Sequence, residues 1–380
     1  MSGVSEISFR AFKVGGVCVA LLHSLITTAA AQSDPTMRDH YVQNVSLAPS
    51  MEGQIAQIYV REYSQEGSDY GEGDVVLFIH GAGTPAEVAF DAPYTSYSWM
   101  QHHTRAGFNT FSMDTTGYGR STRPYQMNDP CNLSEGQRAE FIPDLISADC
   151  EPSYAYAATT IASDWDDIDA VVDYIRELRG VERIHLVAWS LGGPRAGGYA
   201  ARHPEKVDRL VLLAPAYSRN RRSEAPELPV AGSAFSKQSR SDFYTNWERQ
   251  SVCEGQHEAA AAAAIWQAML ESDPVGATWA SGVRRAPRTT TWGWGPDVVA
   301  NTQAPMLLVA PIHDAQVPVA RVHDLYEDLG SSNKVLLDLA CSSHNAMWEM
   351  NHDLLFNDSS EWLRSGTVSG QSQGQIRRGY

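Results

Sequence analysis

The chain has 380 residues, 43% of them hydrophobic and 19% charged, with a formal charge of −16 and a pI near 5.1. That length fits one large α/β domain carrying insertions, and the apolar share supplies a sizeable buried core. The acidic balance excludes nucleic acid and anionic membrane surfaces as partners, because both demand a basic face.

Residues 1–31 read as a targeting segment. Arg10 and Lys13 precede an apolar run from Val14 to Ile26, and Thr27-Thr28-Ala29-Ala30-Ala31 presents the small residues a signal peptidase reads. The run is short and interrupted, which favours a cleaved secretory signal over a retained anchor. The mature chain is expected to start near Gln32, with no membrane span left in it, and to be periplasmic or extracellular. Cys18 leaves with the signal, and Cys131, Cys150, Cys253 and Cys341 remain. An even number in an exported chain points to disulfides. Cys131 and Cys150 share one polar insertion, so they are expected to pair locally, leaving Cys253 to Cys341. No cysteine has a CxxC or histidine partner at zinc-ligand spacing, and no metal is expected.

Residues 51–60 and 74–80 read as strands. Asp74-Val75-Val76-Leu77-Phe78-Ile79 is almost continuously apolar, as a strand buried on both faces of a parallel sheet should be. It runs into His80-Gly81-Ala82-Gly83-Thr84-Pro85. Glycines directly after a central strand let backbone N–H groups face outward, the geometry an oxyanion needs, although a plain strand-to-helix turn explains them equally well. Residues 107–114 read as another strand, followed by a polar insertion over 122–156. Ile161, Trp165, Ile168, Val171, Val172 and Ile175 then have helical spacing. Asp164, Asp166 and Asp167 read as the solvated, dipole-favoured start of that helix, not as a metal site.

The organising stretch is Leu186-Val187-Ala188-Trp189-Ser190-Leu191-Gly192-Gly193. A β-prone run stops at a serine, small residues follow, and an Ala/Gly-rich segment continues to Arg202, giving strand, sharp turn and helix with the serine at the apex. Such a turn pushes the hydroxyl out of the sheet, and small neighbours let the helix start close behind the strand. The pattern is G-x-S-x-G with Ala188 in place of the first glycine.

Residues 207–215 read as the next strand, and 217–300 as an inserted cap with one clear helix at 258–270. Strands resume at 305–310 and 334–339. The core is therefore expected over 32–216 and 301–364, and the Gly-, Ser- and Gln-rich stretch 365–380 as a disordered tail. Alternating strands and helices imply an α/β fold, a mostly parallel sheet with helices on both faces and chemistry at the carboxyl ends of the strands. Two further residues stand at such ends, Asp314 after the strand at 305–310 and His344 after that at 334–339.

On these residues the chain resembles the α/β-hydrolase superfamily over roughly 51–363. The order Ser190, Asp314, His344 matches that superfamily's nucleophile, acid and histidine. The resemblance implies Ser190 as nucleophile, His344 as base, Asp314 as the acid that orients it, and 217–300 as a lid. It also implies 80–83 as the oxyanion loop, with the N–H groups of Ala82 and Leu191 as donors. Some relatives carry the acid one strand earlier, where this chain reads Ala214-Pro215-Ala216, without a carboxylate. No cofactor is called for.

Serine as nucleophile argues against dehalogenase or epoxide-hydrolase chemistry, and export argues against a coenzyme A thioester. The expected reaction is hydrolysis of a small or medium carboxylic ester or lactone through an acyl-enzyme. One alternative is an exported aminopeptidase acting on a short peptide-like substrate, whose ammonium group needs a cap carboxylate; Glu224, Glu227, Glu248 and Glu254 are available. The other is a hydrolase-like binding protein without catalysis. Trp292 and Trp294 are the candidate substrate contacts, or else anchors of the cap. His102, His103 and His313 read as loop or helix-surface residues, and His352 as a member of the helix after His344.

Overall fold

A nine-stranded sheet carries the molecule. Its strands are β1 (Thr36–Val45), β2 (Ile55–Ser64), β3 (Val75–Ile79), β4 (Asn109–Met113), β5 (Ile184–Trp189), β6 (Val207–Leu213), β7 (Met306–Pro311), β8 (Lys334–Leu339) and β9 (Gly374–Arg378). The computed structural model describes Met1–Gly3, Ala11 and residues 34–380, and every element belongs to the unit Ser33–Tyr380. Apart from those few positions, the expected signal segment lies outside the described residues. The spatial order is β1-β2-β4-β3-β5-β6-β7-β8-β9. β2 pairs antiparallel with β1 and β4, and all other pairs are parallel.

The central strands show why the sequence reads as it does. All five residues of β3 are buried, with Val75, Leu77 and Ile79 in one core cluster and Val76 and Phe78 in the other. Period-2 alternation thus fills both faces, which only a strand covered twice requires. Helices α1 (Trp99–Arg105) and α7 (His352–Ser365) pack on one face. Helices α2 (Ile161–Arg179), α3 (Gly192–Arg202) and α6 (Val319–Asp328) cover the other. A capping box between Thr160 and Ser163 starts α2, and Gly180 at φ 66° ends it.

Four expectations are corrected. The tail is not disordered: Gly374–Arg378 adds to the sheet as β9, parallel to β8, with Ile376 buried. Its apolar content is one isoleucine, but a strand edge needs only backbone donors and acceptors to extend. The acidic start of α2 is not solvated either, since Asp164 and Asp167 are buried. The first pairs with Arg195 at 2.8 Å and the second accepts from the Thr116 N–H at 2.8 Å. His103 is fully buried against Ser359, and burial holds its imidazole well below the ordinary pKa. The cap ends before residue 300: Trp292 and Trp294 are buried in the core cluster under α2 and α3.

The cap consists of the antiparallel pair Phe235–Ser239 and Val283–Pro287 with helices α4 (Arg240–Glu248) and α5 (Ala259–Glu271) between them. The insertion at 122–156 belongs to it. Met127, Leu133 and Phe141 share one apolar cluster with Phe235, Trp279 and Val283, and a disulfide joins Cys131 to Cys150. No helix of the described residues is long and apolar enough to cross a membrane.

Candidate active site

Between β5 and α3 the chain turns at Ser190, whose φ of 57° lies in the left-handed region. A non-glycine residue there costs roughly 1–3 kcal/mol and persists only where its surroundings over-determine it. Here the Ser190 N–H donates to Leu213 O at 2.9 Å, and its carbonyl accepts from the N–H groups of Gly193 and Ala216, both at 2.9 Å. The glycines that follow are sterically required. A Cβ on Gly192 would lie 2.5 Å from Ile79 O, and one on Gly193 2.5 Å from Pro215 Cβ. Ala188, in place of the pattern's first glycine, is fully buried without opening the turn.

The loop after β3 approaches the same turn. A Cβ on Gly81 would sit 2.8 Å from Ser190 Cβ, so the loop passes Ser190 at a distance only glycine permits. Its carbonyls are turned inward by Arg195, on α3, which donates to His80 O at 2.9 Å and Gly81 O at 3.1 Å. Burial, then the Arg195 charge, keeps His80 neutral, well below its ordinary pKa. With Nε2 accepting from the Thr115 N–H at 3.1 Å, its Nδ1–H donates to Gly81 O at 2.8 Å. Ala82, the expected oxyanion donor, is exposed and lines the cavity beside Ser190, and Leu191 caps α3.

Asp314 and His344 follow β7 and β8. Asp314 Oδ2 accepts from His344 Nδ1 at 2.7 Å, and its Oδ1 accepts from the N–H groups of Gln316 and Val317 at 2.7 and 2.8 Å. Those contacts fix the carboxylate and place the His344 proton on Nδ1, leaving Nε2 as acceptor. His344 lines the same cavity as Ser190. Two residues that nothing in the sequence singles out hold the pair. Gln250, buried at the end of α4, accepts from the N–H of Ala315 at 3.0 Å and of His344 at 3.4 Å. Buried Glu349 accepts from the Ser343 N–H at 2.7 Å, Trp247 Nε1 at 2.8 Å and Gln256 Nε2 at 3.1 Å. Burial raises its carboxyl pKa despite these bonds.

A disulfide between Cys253 and Cys341 ties the cap to the loop that bears His344. His313 lies beside it, 3.7 Å from Cys253 Sγ. The three residues are close enough to resemble a metal-ligand set, but in the disulfide neither sulfur is a thiolate.

The cavity around Ser190 and His344 has a volume of about 80 Å³. Trp189, Phe243, Met269 and Trp348 supply apolar walls, and Gln238, Asn246, Arg284 and Asn345 the polar ones. Trp292 and Trp294 are not among its walls; they anchor the chain on the core. Nor does any of Glu224, Glu227, Glu248 or Glu254 line it, so the carboxylate that an aminopeptidase needs for an ammonium group is missing from the walls among the described residues.

The sheet order, the turn at Ser190 and the inserted cap together define the class. Residues 74–349 match the family model of the alpha/beta hydrolase fold. The chain belongs to that family. It is 23% identical over 148 residues to a 2-hydroxy-6-oxononadienedioate/2-hydroxy-6-oxononatrienedioate hydrolase of Comamonas testosteroni, a match covering 39% of this chain and only 38% of that protein. Among solved structures it is similar to a serine hydrolase of the polyaromatic hydrocarbon-degrading bacterium Cycloclasticus zankles, with TM-score 0.51, 15% identity and coverage of 86% of this chain and 98% of that one. A bromoperoxidase from Bacillus anthracis gives TM-score 0.51, 12% identity and coverage of 86% and 99%. At these identities the structures share the fold.

Proposed function

We propose that the protein is an exported serine hydrolase that cleaves a small or medium carboxylic ester or lactone through an acyl-enzyme. The observation that carries this reading is the 2.7 Å hydrogen bond from His344 Nδ1 to Asp314, with His344 and the strained Ser190 on one cavity. Ser190 Oγ attacks the substrate carbonyl while His344 Nε2 takes its proton. Asp314 holds the imidazole in that tautomer and stabilises the cation that forms. The N–H groups of Ala82 and Leu191 stabilise the tetrahedral oxyanion, each by roughly 3–4 kcal/mol. His344 then passes the proton to the leaving alkoxide, which from a lactone stays tethered to the acyl group. Water, deprotonated by the same histidine, releases the acid and restores Ser190.

The small, walled cavity favours a compact substrate over a polymer surface, and the two disulfides accord with an oxidising compartment. The test is hydrolysis of a mixed set of p-nitrophenyl esters, lactones and aminoacyl-anilides, with Ser190→Ala as control. Ester or lactone cleavage that the variant lacks supports the reading. Preferential anilide cleavage moves the protein to the aminopeptidases, and turnover that survives in Ser190→Ala refutes the mechanism.

A further inference from the structure

Two adjacent arginines in the cap strand Val283–Pro287 face opposite sides, as successive residues of a strand must. Arg285 turns into the cap and is fully partnered: its Nη2 donates to Asp273 at 2.6 Å and its Nε to the same carboxylate at 3.0 Å. Arg284 turns to the cavity of Ser190 and His344 and makes no ion pair among the described residues. Its Nε donates to Gln238 Oε1 at 2.8 Å and its Nη1 to Gly83 O, which leaves Nη2 without a protein acceptor among the described residues. Burial holds its pKa down, at about 10, against the weaker pull of Tyr118, Asp242 and Asp273; the group is still charged at neutral pH.

The neighbouring amides add donors. A guanidinium only donates, so the Gln238 atom that meets Arg284 is oxygen and its NH₂ group is uncommitted. Asn246 likewise accepts from Arg249 at 2.7 Å through its oxygen, leaving its own NH₂ group, like that of Gln238, uncommitted among the described residues. Both residues line the cavity, and no Asp or Glu does among the described residues. A cation in a poorly solvated cavity without a counter-ion is costly, and a ligand that brings the charge offsets that cost.

We propose that Arg284, with the side-chain amides of Gln238 and Asn246, forms an anion subsite beside Ser190, so that the substrate is a short ester or lactone carrying a free carboxylate. This rests on the esterase reading of the site. Arg284 holds the carboxylate, the apolar walls take the short chain between, and Ser190 meets the ester carbonyl. A cavity of about 80 Å³ suits a short chain.

Glutarate binding, measured by calorimetry, reads the subsite without turnover. Ser190→Ala protein is expected to bind it saturably, and Ser190→Ala/Arg284→Gln at least tenfold more weakly; no binding to the first, or equal binding to both, overturns the proposal. Turnover gives the second readout, as the ratio of kcat/KM for monoethyl glutarate to that for ethyl valerate, its uncharged analogue of equal acyl length. Wild type is expected to favour the anionic ester about ten- to hundredfold, the range a charge-assisted bond supplies. Arg284→Gln should lose that preference and Arg284→Lys keep part of it, which separates charge from folding. An unchanged ratio, with both esters slowed alike, makes Arg284 a clamp on Gly83 and sinks the subsite. If wild type cleaves neither ester, the esterase reading fails on its own, and calorimetry still decides the subsite.

Discussion

The two halves of the cavity are built on different principles. On the core side, backbone does the work: Ser190 sits on a turn held by three main-chain hydrogen bonds, and the 80–83 loop is drawn against it by Arg195, itself paired with buried Asp164. On the cap side, side chains from a short strand pair, α4 and α5 make the walls. Beside His344 the halves are joined by Gln250, Glu349 and the Cys253–Cys341 disulfide. On the proposed reading, the reacting groups ride on strand ends and turns of the sheet, and selectivity would come from the insertion.

The largest effect belongs to the core side. Asp314→Asn leaves the shape intact but unsettles the His344 tautomer, and kcat should fall about 10⁴-fold with little change in KM. A fall below tenfold would show that the buried bond to His344 is structural only. Next come the ties. Cys253→Ser/Cys341→Ser opens a link spanning 88 residues and should cost up to about 4.6 kcal/mol of stability by the loop-entropy account, read as a lowered denaturant midpoint. If the midpoint is unmoved, the cap is held by packing alone. Gln250→Ala strips the buried His344 N–H and the part-buried Ala315 N–H of their acceptor and should cost about 1–2 kcal/mol. Because those groups flank Asp314 and belong to His344, kcat should fall more than KM rises; equal effects would make Gln250 a cap residue only.

The smallest effect is remote from the cavity. Burial pushes Asp167, and likewise Asp114, up to about 7. A carboxyl raised on folding contributes stability that is full below its unfolded value, near 3.8, and is lost as pH rises to the folded value. Asp167→Asn should therefore lose less stability than wild type between pH 5 and pH 8. Parallel curves for the two proteins would refute the shift.

What the sequence made legible follows the same division. β3, β5 and the positions of Ser190, Asp314 and His344 could be read because buried parallel strands are continuous apolar runs and chemistry stands at their ends. Arg284 could not, since its difference from Arg285 depends on where Asp273 and the cavity lie, a long-range fact without local spacing. Gln250 and Glu349 were hidden for a similar reason, as lone polar residues that meet partners far along the chain, His344 and Trp247. Trp292 and Trp294 stayed open between pocket and anchor, because a large aromatic serves a core as well as a pocket. The strand at Gly374–Arg378 was masked by composition, since pairing at a sheet edge needs little apolar content.

The central claim is that Ser190 is an activated nucleophile in an otherwise ordinary strand-to-helix turn. Its most direct test is intact-protein mass after exposure to a fluorophosphonate, for wild type, Ser190→Ala and His344→Ala. One adduct on wild type, none on Ser190→Ala and strongly slowed labelling of His344→Ala is the outcome the account predicts. An unlabelled wild type, or an adduct that persists in Ser190→Ala, would contradict it.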